Sequence, residues 1–140
     1  MASLVFHSFI SDMMKGDIDL ETNTVKLALV NGYTVNKDTH NRWDDVVASE
    51  ISAADNYATG GATVANKSIT IDTTNDTIKF TFDPVTWSSS TLTASAAVLY
   101  AVGASNAQSP LIAFLDFTSA VSSNAGDFTV SVTTPLTFQN

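Results

Sequence analysis

Two neighbouring segments that alternate between polar and apolar residues constrain the fold of this chain more than any other feature. Residues 68–72 and 77–82 each carry an apolar side chain at every second position, which is the period of a β-strand with one buried face. The segment between them, 73–76, reads Thr-Thr-Asn-Asp, a composition typical of turns. The pattern predicts an antiparallel hairpin whose two strands share one apolar face.

Most of the remaining chain also has strand character. Residues 24–30 and 127–132 alternate, whereas 92–102 and 110–117 are apolar or small at nearly every position, which is typical of strands buried on both faces. Short strands separated by Ser, Asn and Gly turns indicate a β-sandwich. We therefore expect a mainly β protein, an Ig-like or jelly-roll-type β-sandwich of six to eight strands with one short N-terminal helix, forming a single domain over residues 1–140.

The predicted helix covers residues 3–15. Ser3 is a candidate N-cap, and Gly16 supplies the left-handed residue that commonly ends helices. The helix carries a broad apolar stripe, which either packs on the sandwich or docks into a neighbouring subunit. The stripe consists of Leu4, Phe6, Phe9, Ile10, Met13 and Met14.

A long irregular loop is predicted over residues 33–60. Most of its residues are polar, and its apolar residues are scattered, although 43–49 is compatible with a helical turn. A loop of this length in a compact domain is usually functional or part of an interaction surface.

The composition excludes several classes of function. The formal net charge is −8, charged residues make up only 14% of the chain, and there are six basic residues. Binding to duplex nucleic acid or to an anionic membrane needs clustered Lys and Arg, so neither is expected. The chain has no cysteine, which excludes a disulfide framework and thiolate chemistry. We expect neither a signal peptide nor a transmembrane segment.

No catalytic, cofactor or metal site is assigned from the sequence. The two histidines, His7 and His40, have no recognisable catalytic motif around them, and a Ser/His/Asp triad drawn among 16 serines would carry little weight. Acidic residues at 17, 19 and 21 resemble the start of a calcium loop but lack its glycine and its distal glutamate. We expect them to line a solvated strand face. Twelve of the 14 acidic residues are Asp, which suits a turn-rich β protein without a metal.

Five aromatic residues form the candidate interaction surface. Trp43, Trp87 and Tyr57 lie in polar surroundings, where each could stack on a sugar ring or anchor a protein interface. Phe6 and Phe9 belong to the helix stripe and would be part of this surface if the stripe docks into another subunit. The alternative for the two tryptophans is that they cover one end of the sandwich.

The order of segments resembles a family of small virion structural proteins of tailed bacteriophages. The resemblance spans nearly the whole chain, but its motifs are structural and none is diagnostic alone. The similar segments are 14–20, 24–29, 57–67, 83–87, 97–100, 109–117 and 126–130. The resemblance implies a component of the phage head or tail and supplies no catalytic residue to transfer.

We therefore expect a non-enzymatic capsid cement or decoration protein that binds the outside of a tailed-phage head, made in the host cytoplasm and localised to the virion. Its expected partners are the major capsid protein or other virion structural proteins, and its own copies in a homo-oligomer such as a trimer. No cofactor, metal, nucleic acid or membrane is expected. The alternatives are a head or tail fibre module, a neck or tail accessory module, and a carbohydrate-binding adhesion domain.

Overall fold

A computed structural model of the chain describes residues 3–132 and 136–139. These residues contain ten β-strands, one α-helix and three short 3₁₀ helices. The strands are β1 (Leu4–Val5), β2 (Val25–Val30), β3 (Ala62–Thr63), β4 (Ser68–Asp72), β5 (Thr77–Thr81), β6 (Val85–Ser90), β7 (Thr93–Ala101), β8 (Leu111–Ser122), β9 (Gly126–Val130) and β10 (Leu136–Gln139). The α-helix is α1 (His7–Lys15), and the 3₁₀ helices are Trp43–Asp45, Val47–Ser49 and Asn106–Gln108.

The described strands form three antiparallel sheets, and the fold is mainly β and sandwich-like as predicted. A five-stranded sheet has the order β1-β8-β7-β2-β3, a three-stranded sheet has the order β10-β5-β4, and β6 pairs with β9. The strand number exceeds the predicted six to eight, because β1 and β3 have two residues each. Two-residue strands leave too little alternation to be read from a sequence.

The main core lies between the five-stranded sheet and the two smaller sheets. Leu27, Leu29 and Leu99 project from the large sheet into a cluster that also contains Phe80 from β5 and Phe128 from β9. The alternating pattern of the strands produces this arrangement, since it sends every second side chain to one face.

The opposite face of the five-stranded sheet is also covered. Val98 and Tyr100 of β7 and Val30 of β2 belong to a second buried cluster, which is completed by Trp43 and Val46 from the long loop. Strand β7 is therefore buried on both faces, as its continuous run of apolar and small residues predicts. Residues of the loop 33–60, together with Phe6, bury this second face.

The N-terminal helix is shorter than the predicted 3–15. Leu4 and Val5 instead form β1, paired with Phe114 and Ala113 of β8, and the helix begins at His7 after an extended Phe6. Leu4 and Val5 are compatible with a strand as well as with a helix. Pairing with β8 gives hydrogen-bond partners to the backbone N–H and C=O groups of this segment. Ser3 is therefore not the N-cap. The end is as predicted, with Gly16 in the left-handed conformation at φ 81°.

Candidate functional site

The structure places all five residues of the predicted interaction surface inside the folded chain. The exposed fractions are 0% for Phe6 and Phe9, 2% for Trp43 and Tyr57, and 4% for Trp87. Side chains this buried present no ring face to a sugar or to a partner protein. This corrects the expected surface: in the folded chain these residues belong to the two hydrophobic clusters. Trp43, Tyr57 and Trp87 lie among polar residues in the sequence, which gave no sign of their burial.

Trp43 holds the long loop against the outer face of the large sheet. Its ring stacks on that of Tyr100, with ring centroids 4.4 Å apart and planes inclined by 9°. The backbone N–H of Trp43 donates to the carbonyl oxygen of Ser109 at 2.9 Å. The ring face that could have stacked on a sugar is therefore occupied by a tyrosine of β7.

Tyr57 fastens the other end of the loop. Its hydroxyl donates to Oε1 of Glu50 at 2.8 Å and accepts the backbone N–H of Leu29 at 3.0 Å. Oε1 of Glu50 also accepts the backbone N–H of Gly60, whose carbonyl oxygen accepts from the Tyr100 hydroxyl at 2.7 Å. Each of these polar groups has a partner, so the network ties the loop to β2 and β7.

Two charged residues of the loop, Arg42 and Asp45, also make structural contacts. Nη1 of Arg42 lies 2.9 Å from Oδ2 of Asp12 in α1, and the Asp12 side chain is only 5% exposed. One carboxylate oxygen of Asp45 accepts the backbone N–H groups of Asn41 and Arg42. The loop is thereby joined to the helix as well as to the sheet.

The two histidines lie in different settings. His40 shares a hydrogen bond of 2.6 Å between its Nδ1 and the hydroxyl of Tyr33. His7 lies at the surface, with its Nδ1 3.0 Å from Asp38 and its Nε2 3.0 Å from Nζ of Lys37. Within residues 3–132 and 136–139, neither histidine has a hydroxyl nucleophile and a carboxylate arranged around it as a triad requires.

Burial raises the pKa of every tyrosine in the chain. Desolvation, with a smaller contribution from Asp45, raises the pKa of Tyr33 to about 12, and desolvation with a contribution from Glu50 raises the pKa of Tyr100 to about 12. Desolvation also raises the pKa of Tyr57 above its usual value. An unfolded tyrosine ionises near pH 10, so between pH 10 and 12 the unfolded chain loses protons that the folded chain keeps. The contribution of the tyrosines to stability is therefore constant up to about pH 10 and falls above it.

We expect an alkaline titration followed by tyrosinate absorbance to show no ionisation of the folded protein near pH 10. Ionisation should begin above that value and coincide with unfolding. The same chain in denaturant is the control, and its three tyrosines should ionise together near pH 10. A tyrosine of the folded protein that titrates reversibly near pH 10 would contradict the desolvation that raises these pKa values.

Contrary to the expected strand face, Asp19 lies outside the strands and stabilises a turn, and Asp72 stabilises another turn. Asp19 accepts hydrogen bonds from the Thr22 side chain and from the backbone of Glu21 and Thr22, which hold its pKa below the usual value. Asn75 and Thr74 do the same for the pKa of Asp72 in the turn after β4. Residues 3–132 and 136–139 contain no group of three His, Cys, Asp or Glu side chains arranged to hold a metal ion.

A cleft of about 750 Å³ lies between β1 and β8 on one side and β9 and β10 on the other. Its described lining is mostly apolar, with Leu115 and Phe117 of β8 facing Val130 and Val132. No titratable side chain lines the described part of this cleft, so it places no acid, base or nucleophilic carboxylate next to a bound molecule.

The exposed feature that best fits a binding role is an aliphatic face on the β4–β5 hairpin. Ile71 is 70% exposed, Ile78 is 46% exposed and Ile69 is 40% exposed, and these residues share one face because Ile71 pairs with Ile78 and Ile69 pairs with Phe80. Phe80 enters the core, whereas the three isoleucines extend beyond it. We call Ile69, Ile71 and Ile78 the hairpin face.

The strand that carries two of these isoleucines also has a free edge. β4 pairs with β5 on one side, and on its other side no strand among the described residues lies beside it. Its residues 68–71 are all exposed, and it has neither the lysine nor the proline that commonly protects an edge strand. The sequence predicted the hairpin and its shared face but not its exposure, because alternation does not show whether a sheet covers that face.

No helix in the described part of the chain has the length and apolar character needed to cross a bilayer. Comparison with protein families, curated proteins and solved structures finds no match to this chain.

Proposed function

We propose that this chain is a non-enzymatic virion structural protein, a cement or decoration protein that binds the outside of a tailed-phage head. The observation that carries the proposal is the hairpin face, an exposed aliphatic surface on a free strand edge. Isolated exposed apolar residues are ordinary, but aliphatic side chains grouped on an unpaired edge favour contact with another protein.

The arrangement of the loop supports a structural role. Polar residues of the loop hold it on the sheet and the helix, through the Tyr57–Glu50 and Arg42–Asp12 contacts. A domain with both faces of its central sheet covered keeps one shape. That property suits a cement protein, which gains affinity when many identical copies fit a repeating shell.

The surface charge also fits the outside of a particle. The net charge is −8 and Ser, Thr and Asn are abundant, so an exterior coat of these chains would make particles repel one another. The resemblance of the sequence to small virion proteins of tailed phages supports the same proposal.

The carbohydrate-binding alternative required aromatic rings exposed at the surface, and the structure does not place them there. Both tryptophans and Tyr57 are buried, so stacking on a sugar would require the core to open. A fibre, neck or tail accessory module remains the competing position in the virion, and the next experiment separates it from the head.

We expect purified protein to bind saturably to phage heads that lack it, because a repeating shell offers a fixed number of equivalent sites. Heads and tails are purified separately, incubated with fluorescently labelled protein and sedimented, and the bound protein is measured against its concentration. The Met14→Lys variant is the control for nonspecific effects of charge. Met14 is 84% exposed on the helix, so this variant should bind heads as the unmodified protein does. Binding to tails alone, or to neither particle, would overturn the proposal.

A further inference from the structure

We propose that β4 pairs with β4 of a second copy of this chain, antiparallel across a two-fold axis at Thr70. The inference rests on the proposed assembly role and names the partner of the hairpin face. Such pairing would join two three-stranded sheets into one of six strands in the order β10-β5-β4-β4-β5-β10. Strand addition of this kind satisfies the backbone groups of both edges at once.

The sequence of β4 is complementary to itself in this register. With Thr70 on the axis, Ile69 of one copy lies opposite Ile71 of the other, and Ile71 lies opposite Ile69. Since the side chains alternate, both isoleucines lie on the face that also carries Ile78. The two hairpin faces thus become one continuous aliphatic surface, and each copy shields the 70% exposed Ile71 of its partner.

The charges on the hairpin favour a second copy as the partner. Residues 67–81 contain Lys67, Lys79, Asp72 and Asp76 and are formally neutral, although the chain as a whole carries −8. Asp72 already lies 3.9 Å from Lys79 across the hairpin. This edge is therefore a place where two acidic chains can approach without like-charge repulsion.

The two-fold axis also brings opposite charges together. Antiparallel pairing places Lys67, at the start of β4, next to the turn 73–76 of the other copy, which is flanked by Asp72 and Asp76. The contact occurs twice, once at each end of the paired strands. A partner strand running parallel would instead place the two lysines at the same end.

One strand pair is a small interface. Five residues on each side bury less than the roughly 1,200 Å² typical of stable complexes, so we expect dimers that dissociate on dilution. Copies bound side by side on a shell would be held at high effective concentration, which strengthens such a contact.

Disulfide trapping tests both the partner and the register, because the chain has no cysteine of its own. Thr70 lies on the proposed axis, so Thr70→Cys should place the two thiol-bearing residues directly opposite each other, at the 4.5–5.5 Å Cα separation typical of opposed strand residues and suitable for a disulfide. The matched control is Ser68→Cys, an exposed change on the same strand and face. In the proposed register its two copies are four residues apart along the strand, about 13 Å, and cannot join.

The experiment is done with the full chain under mild oxidation and read on a non-reducing gel, with circular dichroism confirming that each variant is folded. We expect a covalent dimer from Thr70→Cys, at least tenfold less from Ser68→Cys, and loss of the dimer when Ile71→Lys is added to Thr70→Cys. Adding Val121→Lys instead, a strand position 45% exposed on β8, should leave trapping intact. Equal trapping at positions 68 and 70, or trapping unaffected by Ile71→Lys, would overturn the inference.

A measurement without cysteine covers the case in which Thr70→Cys does not fold. Sedimentation of the unmodified protein should show a dimer that increases with concentration, and Ile71→Lys should remain monomeric over the same range. A concentration-independent monomer would overturn the inference. If the protein remains monomeric but binds saturably to heads, the strand pairing alone is refuted. If it forms dimers but binds no particle, the proposed function alone is refuted.

Discussion

Replacing Gly61 with alanine is expected to lower the free energy of unfolding by about 3 kcal/mol or more. A Cβ at this position would lie 2.0 Å from the carbonyl oxygen of Leu27 and 2.6 Å from the Cα of Ala28. Both atoms belong to the backbone of β2, which is fixed between β3 and β7. Gly61 also has φ 79°, a conformation unfavourable for alanine.

Gly32→Ala separates the free-energy cost of the steric clash from the cost of the left-handed backbone conformation. Gly32 has a similar φ of 72°, but a Cβ there would meet nothing within 4 Å. This variant should lose only the cost of the left-handed conformation, about 1 kcal/mol. Denaturant unfolding followed by tryptophan fluorescence measures both variants. If Gly61→Ala were no less stable than Gly32→Ala, the close approach of the loop end to β2 would be refuted.

Trp43→Ala is expected to lower the free energy of unfolding by about 3 to 5 kcal/mol, the range for large aromatic residues removed from a core. The change would remove the ring that stacks on Tyr100 and leave a cavity between the loop and the large sheet. If Trp43 were instead an exposed ligand-binding residue, the same change would alter stability by only about 0.5 kcal/mol. The experiment therefore distinguishes a structural loop from a binding loop.

Met14→Ala is the matched control for Trp43→Ala. Met14 is a large apolar side chain but is 84% exposed, so its truncation should change stability by about 0.5 kcal/mol or less. Both variants are unfolded with denaturant, and circular dichroism is used because Trp43→Ala removes one of the two tryptophans. Equal stability of the two variants would contradict the placement of Trp43 in the second cluster.

The parts of the fold that could be predicted are those whose evidence is local. The hairpin of β4 and β5 follows from alternation and a turn sequence, the burial of β7 follows from its unbroken apolar run, and the end of α1 follows from a single glycine. The start of α1 could not be predicted in this way. Leu4 and Val5 suit either element, and pairing with β8, more than 100 residues away, decides between them.

The candidate site depended on contacts that local sequence does not contain. Trp43, Tyr57 and Trp87 have polar neighbours in the chain, yet their environment is set by β7, β2 and β9, which are distant in sequence. In contrast, Ile71 has the pattern of a core residue, and it is exposed because the hairpin extends beyond the sheet it covers. Alternation shows which side chains share a face but not what lies against that face.

Imaging of phage heads with and without this protein tests the proposed function most directly. Electron cryo-microscopy of heads that lack the protein, before and after its addition, should reveal extra density at regularly repeated positions on the outer surface of the shell. If β4 pairs as proposed, that density should include two-fold contacts between neighbouring copies. Density confined to the neck, tail or fibres, or heads unchanged at saturating protein, would contradict the proposal that this chain decorates the head.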